Sequence, residues 1–146
     1  MKTLNFEIEI NASKAKVWDK VTNLKSYEEW TGAAFPGSTF EGSWTEGGKI
    51  DFFGPGGSGT QVTVQRIVEN EAIELAHTAM LTDGRVPDTE SDFAKNWIGI
   101  KENYYFSENN GVTTFKVMAE TGEEWESMFT ESWPKMLAKL KEICES

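Results

Sequence analysis

Three side chains that could take part in acid–base chemistry fall on apolar faces of alternating segments in this 146-residue sequence. His77, the only histidine, is in phase with the apolar residues of segment 72–81, and Glu102 and Tyr104 share the apolar face of a later segment. An unpaired carboxylate is costly to bury in an apolar environment. We therefore expect Glu102 to reach a partner such as Arg66 or His77, or to contact a ligand.

An enzymatic use of these residues lacks a second positioned group in the sequence. A Ser-His-Asp site would have to use His77, and the sequence has no GxSxG motif that would place a serine at a nucleophile turn. General acid–base catalysis needs positioned groups with perturbed pKa values. We therefore expect no catalytic residue, and a cyclase or hydrolase that uses Glu102, Tyr104 or His77 is the enzymatic alternative.

The remaining motifs disfavour metal and phosphate binding. The single cysteine, Cys144, lies far from His77 in the sequence, so the two cannot form a conventional zinc site. The glycines of GPGGSG (54–59) precede a strand-like segment and lack the following Lys-Ser/Thr and helix of a phosphate loop. They predict a hairpin turn that needs positive φ angles. We expect neither a metal nor a cofactor.

The composition describes an acidic chain. The net charge is -10, from 24 acidic and 14 basic residues, and no basic stripe is present. Nucleic acids and anionic membrane surfaces are therefore poor partners. The sequence also lacks the apolar run of a membrane-spanning helix and the apolar core of a signal peptide. We expect a cytoplasmic protein without membrane insertion, as a monomer or homodimer.

The elements that must position these residues follow from the period of the apolar residues. In chain order they are a strand in LNFEIEI (4–10), a short helix in NASKAKVWDKVTN (11–23) with Ser13 as N-cap, a second short helix in SYEEW (26–30), and alternating segments between residues 38 and 119 that include WIGIKENYYFS (97–107). Short polar turns separate the alternating segments. The pattern predicts an antiparallel meander, with about six to seven strands in all.

The C-terminal segment predicts a long amphipathic helix. Apolar residues recur there at three- and four-residue spacing from Trp125 to Ile143, and Thr121 with Glu124 fits a capping box. Pro134 lies inside this helix, where it removes one hydrogen bond and clashes with the preceding turn. We expect a bend at this proline, which would let the helix follow the concave face of a curved sheet.

Several blocks of the sequence resemble the SRPBCC superfamily, also called START-like or helix-grip. They are FEIEINASKAKVWDKVTN (6–23), YEEWT (27–31), EGSWTEGGKI (41–50), IELAH (73–77), WIGIKENY (97–104) and WPKMLAKLKEICE (133–145). They are similar to the AHSA-type branch, which is named after the activator of the ninety-kilodalton heat-shock chaperone's ATPase. The resemblance implies one domain over residues 1–146 with an α+β helix-grip fold of the START/birch-pollen-allergen-like type. In this fold a curved antiparallel sheet is followed by a long kinked C-terminal helix over its concave face, and two short helices come after strand 1.

The resemblance also implies a cavity between sheet and helix that binds a small hydrophobic molecule, such as a lipid or an aromatic compound. The residues that we expect to line it are Trp44, Phe52, His77, Trp97, Glu102, Tyr104, Phe115, Trp125, Phe129 and Trp133. The branch name suggests an alternative, a co-chaperone-type module that acts on a heat-shock chaperone's ATPase. Against it, activators of the eukaryotic type carry an additional N-terminal domain, and this sequence begins at the first strand.

Overall fold

One open antiparallel sheet with helices on one face makes up the computed structural model, which describes residues 1–146. The strands are β1 (Lys2–Ile10), β2 (Thr39–Gly42), β3 (Lys49–Phe53), β4 (Gly59–Val68), β5 (Ala72–Thr82), β6 (Val86–Asp88), β7 (Lys101–Asn109) and β8 (Val112–Thr121). The helices are α1 (Lys14–Thr22), α2 (Leu24–Thr31), α3 (Asp92–Trp97) and α4 (Glu126–Glu145). The predicted α+β helix-grip fold is confirmed.

The sheet order is β1-β8-β7-β5-β4-β3-β2, and β6 pairs with the end of β5. This short strand brings the total to eight, where the sequence predicts six to seven. β1 pairs with β8 along its whole length, from Lys2 opposite Thr121 to Ile10 opposite Thr113. The first and last strands are therefore neighbours, and α4, which follows β8, begins beside β1.

The first short helix begins where the sequence predicts, and the second begins two residues before the predicted segment, at Leu24. The Ser13 side chain accepts a hydrogen bond from the Lys16 backbone N–H at 3.2 Å and caps α1. Asn23 ends α1 and caps α2 through its side chain, at 3.0 Å from the Lys25 backbone N–H. This tight connection turns the chain back toward the sheet, so that one face of α2 is buried in the core.

Helix α4 covers the same face of the sheet and packs on β1, α1 and α2. Its buried residues are Ser132, Trp133, Met136, Leu137, Leu140 and Cys144. Pro134 is exposed. Because a proline ring clashes with the turn before it, a proline on the solvent side opens that side and favours a bend toward the covered surface. The bend itself stays a prediction. None of the helices combines the length and the apolarity that crossing a membrane requires.

The predicted capping box at the start of α4 is wrong. Thr121 is fully buried at the end of β8, and its hydroxyl lies 3.3 Å from the Gly122 carbonyl oxygen, to which it donates. The chain enters α4 through a 3-10 turn, Glu123–Trp125, which has no side-chain cap. The Thr-x-x-Glu spacing is present, but the threonine still belongs to the strand and cannot also cap the helix.

The GPGGSG segment forms the predicted hairpin turn between β3 and β4. Gly56 and Gly57 have φ angles of 88° and 91°, a region that residues with a side chain rarely adopt. This turn packs against the turn after β5, where the Gly84 backbone N–H donates to the Gly56 carbonyl oxygen at 2.7 Å. A Cβ atom on Gly57 would lie 2.5 Å from the backbone nitrogen of Arg85. The two turns are therefore in backbone contact.

Candidate functional site

A cavity of about 610 Å³ lies between the sheet and the helices that cover it. Strands β3, β4, β5 and β7 form one wall, and α2, α3, the 3-10 turn and α4 form the other. Fourteen of its 22 lining residues are hydrophobic, so the cavity suits an apolar molecule. The lining residues are Tyr27, Trp30, Thr31, Phe35, Ser38, Phe52, Ser58, Gly59, Thr60, His77, Met80, Leu81, Phe93, Trp97, Glu102, Tyr104, Trp125, Met128, Phe129, Ser132, Trp133 and Met136.

Aromatic rings from four elements meet at the inner end of the cavity. Trp133 of α4 lies 6.0 Å from Trp30 of α2 and 6.1 Å from Tyr104 of β7, measured between ring centroids. Tyr27 lies 5.3 Å from Trp30 and 5.6 Å from Phe52. Such pairs add to the free energy of burial and hold each other's orientation. We call these five residues the aromatic cluster.

Glu102 is the one carboxylate that lines the cavity. It is half-buried, and one of its oxygens accepts a hydrogen bond from the Tyr104 hydroxyl. Burial raises the pKa of Tyr104 well above its usual range, and the charge of Glu102 adds to the shift. Burial also raises the pKa of Tyr27, with a smaller contribution from Glu102, while a hydrogen bond with Ser38 opposes it. Both tyrosines therefore stay protonated beside this carboxylate.

The predicted partners of Glu102 are not the ones that the structure shows. Arg66 lies 3.5 Å from Glu74, measured between side-chain nitrogen and oxygen, and does not pair with Glu102. None of the ion pairs in the chain includes Glu102. His77 forms no hydrogen bond with it either, and its Nδ1 atom instead contacts the Ile100 carbonyl oxygen at 2.9 Å. The pairing partner of Glu102 is the hydroxyl of Tyr104.

His77 is buried on the cavity face of β5, in phase with its apolar neighbours as predicted. Its Nδ1 atom lies 2.9 Å from the Ile100 carbonyl oxygen, and its backbone N–H donates to the same oxygen at 2.8 Å. A carbonyl oxygen can only accept, so Nδ1 carries a proton, and in the neutral form of the ring the lone pair lies on Nε2. The ring also packs 5.6 Å from Trp97.

Exposed apolar side chains surround the opening of the cavity. Phe35, Phe93 and Met128 line it and are 42%, 48% and 37% exposed. Phe93 packs against Trp125 at 6.0 Å, and Trp125 packs against Trp97 at 6.1 Å, between ring centroids. A molecule that enters the cavity therefore meets apolar surface before it reaches the aromatic cluster.

Eight of the ten predicted residues line the cavity, and two do not. Those that do are Phe52, His77, Trp97, Glu102, Tyr104, Trp125, Phe129 and Trp133. Trp44 lies beyond the end of β2 and packs on Phe40 and Phe52 at 5.6 and 5.9 Å, so Phe52 separates it from the cavity. Phe115 is fully buried behind Tyr104, at 5.8 Å. Whether the eight contact a ligand stays a prediction.

Several lining residues are not among the ten that the sequence predicts. The most informative are Tyr27 and Trp30, which form the buried face of α2. Their three-residue spacing in SYEEW was the available signal, because residues at i and i+3 share one side of a helix. Phe35 and Phe93 carry no such signal, since they lie in a connection and in a helix of six residues. Only the tertiary structure brings them to the opening.

Metal ligands are not grouped anywhere in the chain. No three side chains of the His, Cys, Asp or Glu type lie together in an arrangement that could hold an ion. Two indole N–H groups, those of Trp30 and Trp44, are buried without a hydrogen-bond acceptor. Because these nitrogens are closed off from solvent, a ligand in the cavity could reach the Trp30 nitrogen only after a side-chain movement.

Comparison with known proteins identifies the fold's relatives. The family model described as "Activator of Hsp90 ATPase homolog 1-like protein" matches residues 11–145, which confirms the resemblance seen in the sequence. None of the curated proteins matches the chain in sequence.

Solved structures share the fold at low sequence identity. The Aha1 dimer from Colwellia psychrerythraea is 19% identical, with a TM-score of 0.73 over 99% of this chain and 97% of that one. Protein MLL2253 from Mesorhizobium loti is 13% identical, with a TM-score of 0.73 over 97% and 95% of the two chains. A protein from Arthrobacter aurescens is 14% identical, with a TM-score of 0.72 over 95% and 83%. At these identities the likeness concerns the fold.

Proposed function

This chain belongs to the family described as activator of Hsp90 ATPase homolog 1-like proteins, and from that premise we propose that it binds one small, mainly apolar molecule in its cavity. The observation that carries the proposal is the cavity of about 610 Å³ with a mainly hydrophobic lining. Ligand sites in proteins usually have volumes of roughly 300–1,000 Å³, apolar walls and a few polar groups that orient the ligand. Here Glu102, Tyr104 and His77 are such polar groups.

A neutral hydrophobic dye tests this proposal. N-phenylnaphthylamine should bind the native protein in a saturable titration with one dye per chain, and its emission should rise because the cavity excludes water. Tryptophan emission should fall at the same time, because four tryptophans line the cavity. Absence of saturable binding to the native protein would show that the cavity does not take up apolar molecules.

Two variants of α4 distinguish dye binding in the cavity from dye binding at the surface. Ser132 is buried and lines the cavity, whereas Ser127, on the same helix, is exposed. Ser132→Phe should fill part of the cavity and weaken dye binding at least about tenfold. Ser127→Phe adds the same side chain outside and should leave the affinity unchanged. Equal binding by both variants would place the dye elsewhere, and a circular dichroism spectrum checks that each is folded.

A chaperone-directed function is the second candidate, and the family description is the observation that favours it. The structural neighbour from Colwellia psychrerythraea is itself described as an Aha1 dimer. The test is to titrate this protein into the ninety-kilodalton heat-shock chaperone of the same organism and to measure the ATPase rate. A dose-dependent change that Ser132→Phe retains would support a surface-mediated role. A flat titration well above micromolar concentration would remove this candidate.

A further inference from the structure

The cavity contains one carboxylate and no permanently cationic side chain. Glu102 is its only carboxylate, and neither lysine nor arginine is among its 22 lining residues. Glu102 is half-buried and takes part in no ion pair. In the empty cavity, water can solvate this carboxylate. A ligand that fills the cavity displaces that water and must compensate the charge, since an uncompensated carboxylate is costly to bury.

Two other polar residues of the lining, Tyr104 and His77, also favour a ligand that donates hydrogen bonds. The hydroxyl proton of Tyr104 is already donated to Glu102, so that oxygen can only accept from a ligand. The Nδ1 atom of His77 faces the Ile100 carbonyl oxygen, and in the neutral form of the ring Nε2 offers a lone pair. A carboxylate, a hydroxyl oxygen and an imidazole lone pair are all acceptors. A ligand whose head group is itself only an acceptor finds no partner among them.

The aromatic cluster adds a second attraction for positive charge. Tyr104 touches both features, because its hydroxyl is bonded to Glu102 and its ring packs 6.1 Å from Trp133. Trp133 in turn packs 6.0 Å from Trp30. The faces of such rings are negative and attract cations that approach within about 6 Å, tryptophan most strongly. The net charge of -10 also raises the local concentration of cations around the chain.

We propose that the bound molecule is a lipophilic amine, whose ammonium group contacts the Glu102 carboxylate and whose apolar body lies among the rings of Trp30 and Trp133. The proposal rests on the proposed function, because it needs the cavity to take up a ligand. It names the ligand's chemical class, a protonated primary, secondary or tertiary amine with an aromatic or aliphatic body. It also excludes the class that positively charged cavities select, namely amphiphiles with a carboxylate head group.

Three probes with one apolar body test the head group alone. Naphthylmethylamine, naphthylmethanol and naphthylacetate, substituted at the same ring carbon, carry an ammonium, a hydroxyl and a carboxylate near neutral pH. Their dissociation constants are measured by titration calorimetry on the wild-type protein. We expect the amine to bind about tenfold more tightly than the alcohol, and the carboxylate to bind most weakly.

A matched pair of variants assigns the preference to Glu102. Glu102→Gln keeps the shape of the side chain and removes its charge, so the amine and the alcohol should then bind with affinities within about threefold of each other. The control is Glu74→Gln on the other face of the sheet, where Glu74 accepts the hydroxyl of Tyr105 at 2.7 Å in a similar arrangement. This control should retain the wild-type ranking of the three probes.

The outcomes separate this proposal from the one on which it rests. If all three probes bind the wild-type protein equally well, or the carboxylate binds best, the amine proposal is overturned while the cavity remains a ligand site. If none of the probes and no neutral dye binds, both proposals fail. The wild-type ranking decides the matter even if Glu102→Gln does not fold. A preference for the amine that persists in folded Glu102→Gln would overturn the role of Glu102.

Discussion

Two adjacent tyrosines make similar hydrogen bonds to a glutamate but differ in burial, and their pKa values differ accordingly. Tyr104 donates its hydroxyl to Glu102 on the cavity face, and Tyr105 donates its hydroxyl to Glu74 on the opposite face. Tyr104 is buried and Tyr105 is only partly so. Burial comes first among the causes that raise the pKa of each tyrosine, and the rise is much larger for Tyr104. The cavity, more than the carboxylate, therefore keeps the Tyr104 proton in place.

This difference predicts a loss of stability in alkali. Above pH 10 a tyrosine ionises in the unfolded chain, while buried Tyr104 keeps its proton, so the unfolded state binds fewer protons. The free energy of unfolding then falls as pH rises, by about 1.4 kcal/mol per pH unit for each such tyrosine. Tyr104→Phe should flatten this fall, as measured by urea unfolding at intervals between about pH 10 and 11.5.

The neighbouring residue supplies the control for this prediction. Tyr105→Phe should change the slope of stability against pH much less, because Tyr105 is less buried and its pKa is raised less. Cys144, whose pKa burial raises to about 11, also lowers stability in this range. It does so equally in the wild type and both variants, so it cancels in the comparison. Equal slopes for Tyr104→Phe and the wild type would contradict the prediction.

Alternation in the sequence correctly places His77, Glu102 and Tyr104 on one face, but it fails for Arg66. Residues 62 and 64 of β4 are buried, so strict alternation predicts that Arg66 points inward with them. A register irregularity between Val64 and Arg66 shifts the pairing by one residue. Arg66 therefore points outward to Glu74. A bulge leaves no mark on the period of a sequence, which is why the sequence wrongly suggests Arg66 as a partner of Glu102.

At the scale of elements, the segment around Trp97 was assigned to the wrong structure. WIGIKENY alternates and predicts a strand, but Trp97 ends helix α3 and β7 begins only at Lys101. The Ser91 side chain caps α3 by accepting the Ala94 backbone N–H at 3.1 Å. The alternating position of Ile98 before Ile100 is thus accidental, since Ile98 is 41% exposed. The cap residue was visible in the sequence, but a helix of six residues has too few apolar positions to show a period.

The turn between β3 and β4 predicts unequal effects of two similar substitutions. Gly56 and Gly57 both have positive φ, so alanine at either is strained by roughly 1–2 kcal/mol. A Cβ atom on Gly56 would meet nothing within 4 Å, whereas one on Gly57 would meet the Arg85 backbone nitrogen at 2.5 Å. Gly57→Ala should therefore cost about 1–3 kcal/mol more than Gly56→Ala in the free energy of unfolding.

Chemical denaturation of the two variants measures this difference directly. Gly56→Ala is the matched control, since it shares the turn, the residue change and the sign of φ. Ser58 and Gly59 follow in the same turn and line the cavity, so Gly57→Ala should also weaken binding of a neutral dye. Equal destabilisation by the two substitutions would show that the contact between the turns relaxes at no cost.

At the scale of the whole molecule, the sequence predicts which face a residue occupies but not how deep it lies. Phe115 and Tyr104 both point inward, yet Phe115 is fully buried in the core and only Tyr104 reaches the cavity. Trp44 also belongs to the inner side, with Phe52 between it and the cavity. Depth depends on the distance between the sheet and α4, which many side chains determine together. The fold class and eight of the 22 lining residues were therefore predictable, and the cavity's boundary was not.

The burial of Cys144 near the end of α4 has one more consequence. This thiol is the only one in the chain, is 1% exposed, and has a pKa that burial raises to about 11. A thiol reagent can therefore react only when the end of α4 moves away from the rest of the protein. The labelling rate measures how often this happens. A ligand that bridges α4 and the sheet should lower the labelling rate, as measured by mass spectrometry of samples quenched at set times. The control is Ser146→Cys in a Cys144→Ser background. Residue 146 is exposed, so this variant should be labelled fast with or without ligand. Because Cys144 is the only thiol, its labelling rate in the wild-type protein reports how often the C-terminal end of α4 detaches.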